Sequence, residues 1–109
     1  KYVGTLCVEF FIDRNENLYV NEIAPRVHNS GHLTMNAFNV SQFENHVRAV
    51  CKLQQIKINK ISNAEMINII GEDISLYRNK TFNSNEFFYD YLKKDIKSKR
   101  KMGHLTKLI

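Results

Sequence analysis

The sequence has little of the residues that mark several classes of protein. It has no tryptophan, one proline, four glycines and two cysteines in 109 residues. So little proline and glycine excludes collagen-like and linker-like character. No apolar run approaches the roughly 18 residues of a membrane span, so we expect no membrane association. What is there, 43% hydrophobic and 25% charged residues, is typical of a globular protein.

The two cysteines indicate the redox setting. Cys7 and Cys51 lie far apart in apolar sequence surroundings and lack the spacing of metal ligands. We predict that both are reduced thiols in the core of a cytoplasmic protein, because disulfides are rare in the cytosol. The chain also starts without methionine and enters a strand pattern almost at once, so we expect it to be the C-terminal part of a longer protein.

The net charge of +5 is unevenly distributed along the chain. Residues 1–51 carry four Lys or Arg against five Asp or Glu, and residues 52–109 carry twelve against six. Six of the nine residues in Lys93–Lys101 are basic. Such a run suits a phosphate group, a nucleic-acid backbone or simply a solvated loop. Anion binding that depends on charge is therefore expected mainly in the second half.

Hydrophobic periodicity predicts an α+β fold. Alternating residues predict strands at Tyr2–Ile12 and Leu18–Ile23, which a polar turn joins into an antiparallel hairpin. A Ser-x-x-Glu capping box at Ser41 opens a helix that is predicted to end near Leu53. Residues 54–63 are polar and are expected to connect two parts of the molecule. Further strands are predicted over residues 65–71, 87–92 and 102–109.

Two glutamates of the hairpin form the first candidate site. Pairing the strands about their turn places Glu9 opposite Glu22, in the same register as Phe11 opposite Val20. Like charges directly opposite on a ladder are destabilising, so a compensating group is needed. A divalent cation is one solution, because Mg²⁺ is typically held by one or two carboxylates together with substrate phosphates. The alternatives are hydrated acids on an exposed edge, or a different strand register.

The loop that follows the second strand forms the second candidate site. The segment NEIAPRVHNSGH at residues 21–32 combines one arginine, two histidines, two asparagines and a serine. The fork of Arg26 suits a planar oxyanion such as bicarbonate, and His28 suits proton transfer or orientation near neutral pH. The alternative is a polar surface loop before the next helix. No zinc site is expected, since His28 and His32 lie in a loop rather than on a helix.

Four segments of the chain carry a resemblance to a known family. They are, in chain order, VEFF at residues 8–11, NEIAPRVHNSGH at 21–32, SQFE at 41–44 and RKMGH at 100–104. With them the chain resembles the C-terminal part of the N5-carboxyaminoimidazole ribonucleotide synthases, the ATP-grasp carboxylases of bacterial and fungal purine synthesis. Residues 54–92 match this family only weakly.

The resemblance implies an architecture in two parts. Residues 1–53 correspond to the C-terminal portion of an ATP-grasp catalytic module, and residues 54–109 correspond to a small antiparallel β domain. The N-terminal domain of the family and the nucleotide-covering half of the module have no counterpart in this sequence. We therefore expect the chain alone to be inactive, and the intact protein to be a homodimer.

The resemblance also implies a reaction. ATP, bicarbonate and 5-aminoimidazole ribonucleotide give N5-carboxyaminoimidazole ribonucleotide, ADP and phosphate, with bicarbonate activated as carboxyphosphate. By position in the motifs, Glu9 and Glu22 hold Mg²⁺, or Mn²⁺ in its place, on the phosphates of ATP, and Asn21 assists them.

The implied catalytic residues are Arg26 and His28, which bind bicarbonate and carboxyphosphate together with the backbone of Asn29.

The basic run takes the 5′-phosphate of the ribonucleotide in this resemblance. Lys93 and Arg100 are the implied ligands, with Lys101 as a third. The stretch between Lys93 and Arg100 lacks the glycine and proline that are usual in the family, so Lys94 is an alternative to Lys93.

Two other functions compete with this interpretation. A small nucleic-acid-binding module that uses Lys93–Lys101 predicts binding that weakens steeply with salt and ignores Mg²⁺. An inactive remnant predicts exposed core surface and a tendency to associate. The length of the matching segments favours the carboxylase, and nucleic acid is the less favoured partner.

Overall fold

The computed structural model describes all 109 residues, which form five strands and three short α-helices. The chain divides into two units: residues 1–35 with 39–59 form the first, and residues 36–38 with 60–109 form the second. Both sheets are antiparallel, and the predicted α+β class is confirmed. None of the helices has the length and apolar character needed to cross a membrane.

The first unit contains the predicted hairpin. β1 (Cys7–Ile12) pairs antiparallel with β2 (Leu18–Ala24). In the turn, the side chain and backbone amide of Asn17 donate hydrogen bonds to the carboxylate of Asp13, and these bonds lower the pKa of that carboxyl. β1 begins five residues later than predicted, because the Thr5 amide donates to the ring of His46 rather than to a strand partner.

A bulge changes the register halfway along the hairpin. Glu9 pairs with Glu22, as predicted. Beyond this pair β2 contains one extra residue, Asn21, so the predicted pairing of Phe11 with Val20 is wrong by one residue. A bulge bends its strand and redirects side chains. As a consequence, the side chains of two consecutive β2 residues reach the same partner on β1.

Short helices follow the hairpin. The segment predicted as an irregular loop contains a 3₁₀ turn over Asn29–Gly31, and α1 (Thr34–Ala37) comes next. α2 (Gln42–Val50) begins at the predicted cap, where the Ser41 hydroxyl accepts a hydrogen bond from the amide of Glu44 at 3.1 Å.

The end of α2 differs from the prediction. The helix stops three residues before Leu53, because Lys52 adopts a positive φ of 55° that breaks the right-handed helix. Cys51, at the helix end, is exposed, and Cys7 on β1 is only half-buried. Both thiols are free, but the prediction that they lie in the core is wrong, since neither side chain is buried.

The second unit is a three-stranded sheet. β3 (Ala64–Ile70) and β4 (Glu86–Asp90) both pair antiparallel with the central strand β5 (Lys101–Leu108). These bounds lie within two residues of the predicted ones. The central position explains why five consecutive residues of β5 are buried.

One element of the second unit was not predicted. α3 (Ile74–Arg78) follows a 3₁₀ turn that begins at Gly71, whose φ of +54° suits glycine. Five residues are too few to show a helical period. The helix nevertheless completes the core, which consists of Ile69, Ile74, Met102 and Leu105 with Tyr77, Phe82 and Phe88 packed against it.

Candidate functional site

Two carboxylates face each other across the hairpin. The Asn21 side-chain amide donates a hydrogen bond to Oε1 of Glu9 at 2.8 Å. On the other side, Nε2 of His28 lies 2.9 Å from Oε1 of Glu22 and 3.5 Å from Oε2 of Glu9. Like charges opposite each other on a ladder repel. Here the amide lies beside Glu9 and the imidazole beside both carboxylates, which are also 43% and 48% exposed to water.

His28 is fixed by its own loop. Its Nδ1 lies 2.8 Å from the hydroxyl oxygen of Ser30, at the start of the 3₁₀ turn. With Nε2 on the Glu22 carboxylate, both ring nitrogens have partners, and the side chain is only 12% exposed. The imidazole therefore reaches the carboxylates from a defined direction.

The donor set fits a divalent cation. One oxygen each from Glu9 and Glu22 and a ring nitrogen of His28 lie within 4.8 Å of one another. Oxygen ligands at about 2.1 Å from one Mg²⁺ lie roughly 3–4 Å apart, so small side-chain rotations bring the two carboxylates into range. Mg²⁺ prefers oxygen, and the exposure of both carboxylates leaves room for water and phosphate oxygens. The imidazole suits a hydrogen-bonding role beside them better than that of a ligand.

The two other residues predicted in this loop lie close by in sequence. Arg26 is exposed, and one guanidinium nitrogen donates to the carbonyl oxygen of Val27 at 2.9 Å. Asn29 opens the 3₁₀ turn, and its carbonyl accepts from the amide of His32. The guanidinium is therefore solvent-accessible beside the loop that carries His28.

The predicted phosphate ligands all lie in the second unit. The ammonium group of Lys93 donates to the carbonyl oxygen of Lys101 at 2.5 Å and lies 5.3 Å from the centre of the Tyr91 ring. Arg100, just before β5, donates to the carbonyl of Asp95 at 3.3 Å. The structure therefore links Lys93 to the first residue of β5, whereas Lys94 is exposed.

A cavity of about 380 Å³ opens elsewhere in the second unit. It is lined by Ile70, Gly71, Glu72, Asp73, Ser98 and Lys99. None of the predicted phosphate ligands lines it. Two carboxylates in the lining also make it a poor place for an anion.

Sequence reasoning missed one residue beside the candidate site. Gln42 is the second residue of the SQFE segment, where the capping box gives it no role. In the structure its side-chain amide hydrogen-bonds to the backbone of His28. The SQFE segment contains Gln42 but does not indicate its contact with His28, because that contact depends on the path of the intervening loop.

Two family models match the chain, one mainly in the first unit and one in the second. Residues 1–43 match the model of the ATP-grasp domain, and residues 64–108 match that of the phosphoribosylaminoimidazole carboxylase C-terminal domain. The first match contains the hairpin and the loop with His28. The second contains all three strands of the second unit.

Complete proteins give the same result. A curated N5-carboxyaminoimidazole ribonucleotide synthase from Staphylococcus haemolyticus is 48% identical over 107 residues, which are 96% of this chain and 29% of that protein. The crystal structure of the Staphylococcus aureus synthetase has a TM-score of 0.87 at 45% identity and covers 97% of this chain, which spans 29% of it.

A fungal structure is also similar. The synthase of Aspergillus clavatus, in complex with ADP and 5-aminoimidazole ribonucleotide, has a TM-score of 0.85 at 32% identity. It covers 97% of this chain, which spans 30% of it.

The fold and the two family matches together define a class: the chain joins residues of an ATP-grasp domain to a phosphoribosylaminoimidazole carboxylase C-terminal domain. Within that class its relatives are the N5-carboxyaminoimidazole ribonucleotide synthases, as the sequence motifs predicted. The chain spans about 29% of the length of the curated relatives it matches.

Proposed function

We propose that the protein to which these residues belong catalyses an ATP-dependent carboxylation. Its substrates are ATP, bicarbonate and 5-aminoimidazole ribonucleotide, and its products are N5-carboxyaminoimidazole ribonucleotide, ADP and phosphate. The observation that carries the proposal is the pair of opposed carboxylates, Glu9 and Glu22, with an imidazole 2.9 Å from one and 3.5 Å from the other. The ligands in the fungal relative, ADP and the aminoimidazole ribonucleotide, support it.

In this proposal Glu9 and Glu22 hold Mg²⁺, or Mn²⁺ in its place, on the phosphates of ATP. The ion supplies positive charge that offsets the charge developing on the phosphates during transfer. Asn21 holds Oε1 of Glu9 through its amide and thereby keeps Oε2 on the side of the His28 imidazole, 3.5 Å from Nε2. The bulge in β2 is what brings this amide to the site.

Arg26 and His28 form the proposed bicarbonate subsite with the backbone of Asn29. A guanidinium fork matches the planar, charged oxygens of bicarbonate and of carboxyphosphate. The imidazole is held through Nδ1 by Ser30, and its Nε2 becomes available to bicarbonate when the Glu22 carboxylate turns to the cation. Such preorganised groups stabilise developing charge without reorganising during the reaction.

Lys93, Arg100 and Lys101 form the proposed subsite for the 5′-phosphate of the ribonucleotide. The contact of the Lys93 ammonium with the backbone of β5 supports Lys93 over Lys94, because it holds that charge near the other two basic residues. Three cations suit a dianionic phosphate.

The proposed enzyme needs more polypeptide than these 109 residues. The relatives are more than three times as long, and their remaining parts have no counterpart in this chain. We therefore propose that an N-terminal part covers ATP, that the intact protein is a cytoplasmic homodimer, and that the 109-residue chain alone has no activity. The proposed boundary between the ATP-grasp portion and the β domain lies at residues 53 and 54.

The test uses the protein expressed from its native gene. We expect it to release ADP only when bicarbonate and 5-aminoimidazole ribonucleotide are both present. Glu22→Gln should lower kcat/KM about a hundredfold or more, because it removes a charge from the cation site. Glu16→Gln, in the exposed hairpin turn, is the matched control and should leave the rate unchanged.

Two results would contradict the proposal. One is a wild-type protein with no substrate-dependent ADP release. The other is a Glu22→Gln protein as active as the Glu16→Gln control. Salt-sensitive binding to nucleic acid in the absence of any such activity would favour the basic-module alternative.

A further inference from the structure

We propose that Gln42 is a positioning residue that holds His28 in place for the carboxylation. This inference rests on the proposed function and extends it to a residue outside the implied site. Oε1 of Gln42 accepts a hydrogen bond from the amide of His28 at 2.9 Å, and Nε2 donates to the carbonyl of His28 at 2.7 Å. One side chain thus satisfies both backbone polar groups of the residue, as a neighbouring β-strand does.

The same amide makes a third hydrogen bond. Nε2 of Gln42 also lies 2.8 Å from Nδ1 of His32, at the far end of the 3₁₀ turn. The side chain therefore connects both ends of the turn. Gln42 is 9% exposed. A buried amide that loses its hydrogen-bond partners costs free energy, so we expect the three hydrogen bonds to form or break as a group.

The backbone of Gln42 is anchored independently of its side chain. Its amide donates to the hydroxyl oxygen of Thr34 at 2.9 Å, and that hydroxyl donates to the carbonyl of Gly31 at 2.6 Å. The first residue of α2 is therefore tied to the turn through Thr34 as well. The first turn of α2 therefore sets the position of the Gln42 side-chain amide.

Gly31 provides the space that the amide occupies. A Cβ atom at residue 31 would lie 2.4 Å from Oε1 and 2.8 Å from Cδ of Gln42. The amide has no free direction in which to yield, because both of its polar atoms are hydrogen-bonded. Any side chain at position 31 must therefore displace the group that clasps His28.

The consequence is a division of labour around one imidazole. Ser30 and Glu22 hold the ring, and Gln42 holds the backbone from which the ring projects. Errors of about 1 Å in placing a reacting group lower rates by about a hundredfold. Gln42 is thus expected to act on bicarbonate through His28 without touching bicarbonate.

The first arm of the test measures kinetics in the protein expressed from its native gene. Gln42→Glu keeps the shape and one acceptor but places a second acceptor against the His28 carbonyl. We expect kcat/KM for bicarbonate to fall about tenfold to a hundredfold, and KM for ATP to change less than about twofold. Gln55→Glu, the same change on an exposed residue after α2, should alter neither.

The second arm does not need activity. Diethyl pyrocarbonate labels accessible imidazoles, and peptide mass spectrometry gives the rate at His28. We expect Gln42→Glu and Gly31→Ala each to raise this rate severalfold, with His46 as the internal reference. Gly31→Ala in a Gln42→Ala background should add nothing further, because the displaced atoms are already gone.

The outcomes separate the two proposals. If the wild-type protein does not carboxylate its substrate but the His28 labelling rates change in the variants as stated, the proposed function is wrong and the positioning of His28 by Gln42 is supported. Unchanged His28 labelling and unchanged bicarbonate kinetics in Gln42→Glu would overturn the role of Gln42, as would full additivity of Gly31→Ala and Gln42→Ala. If Gln42→Glu lowers the melting temperature so far that it does not fold, the uncharged Gln42→Ala takes its place in both arms.

Discussion

The two sheets of this chain differ in how their apolar side chains are covered. In the hairpin of β1 and β2, large apolar residues are exposed on both faces, and Phe11 and Ile12 are 59% and 69% exposed. In the sheet of β3, β5 and β4, the central strand is buried and packs with α3 into a core. The second unit therefore contains its own hydrophobic core, whereas the hairpin exposes apolar surface to water, which is unfavourable.

The proposed site and the hydrophobic core therefore lie in different units of the chain. The residues proposed for the cation and for bicarbonate all lie in the first unit, on or beside the hairpin. A two-stranded ribbon with apolar residues on both faces is typical of a sheet enclosed between layers. We expect that in the proposed enzyme other parts of the ATP-grasp module cover it.

Separating the units should have the largest effect. A chain of residues 60–109, which contains all three strands of the second sheet, is expected to unfold cooperatively, and a chain of residues 1–59 is expected to associate or to melt without a transition. Circular dichroism during heating and dye binding to apolar surface distinguish the two. A monomeric 1–59 chain with a sharp transition would show that the first unit needs no cover.

A matched pair of isoleucines tests burial next. In the 109-residue chain, Ile69→Ala should destabilise the second unit by about 2–5 kcal/mol, because Ile69 is 1% exposed and leaves a cavity. Ile12→Ala should change stability by less than about 0.5 kcal/mol, because its side chain is in water. Urea unfolding measures both. Equal losses would mean that the hairpin is packed in solution.

The cap of α2 gives an intermediate effect within the first unit. Ser41→Ala removes the acceptor for the Glu44 amide and should cost about 1 kcal/mol. Ser84→Ala, at an exposed position in the second unit, should cost less than about 0.5 kcal/mol. Amide exchange in the first turn of α2 provides the measurement. Unchanged exchange after Ser41→Ala would show that the cap contributes nothing to the helix.

The smallest expected effect is a pH dependence in the second unit. Hydrogen bonds from the guanidinium of Arg78 hold the pKa of Asp90 below its ordinary value of 3.8. The stabilisation is complete above that value and is lost as the pH falls through the lower, native pKa. Carboxyl NMR titration should show the Asp90 pKa rising towards 3.8 in Arg78→Gln. An unchanged titration would exclude this pair as the cause.

Much of this architecture follows from the sequence. Alternation located the strands within two residues in the second unit, and pairing about the turn brought Glu9 opposite Glu22. The bulge at Asn21 was not predictable, because one extra residue leaves the alternation on each side intact. α3 was missed because five residues show no period.

The contact between Gln42 and His28 shows a second limit of prediction from the sequence. The three hydrogen bonds of the Gln42 side chain join α2 to a turn ten to fourteen residues earlier, and only the folded path brings them together. Cys51 is a second example, because its apolar sequence neighbours predicted a buried thiol and the side chain is exposed. Local pattern predicts elements well and side-chain contacts between them poorly.

Hydrogen exchange in two forms of the protein tests the central claim most directly. The amides of β1, β2 and β5 are compared between the isolated 109-residue chain and the protein expressed from its native gene. We predict that β5 is protected in both, and that β1 and β2 gain strong protection only in the native gene product, where the hairpin is covered. Equal protection of the hairpin in both forms would contradict the account, because the hairpin would then need no polypeptide beyond these residues.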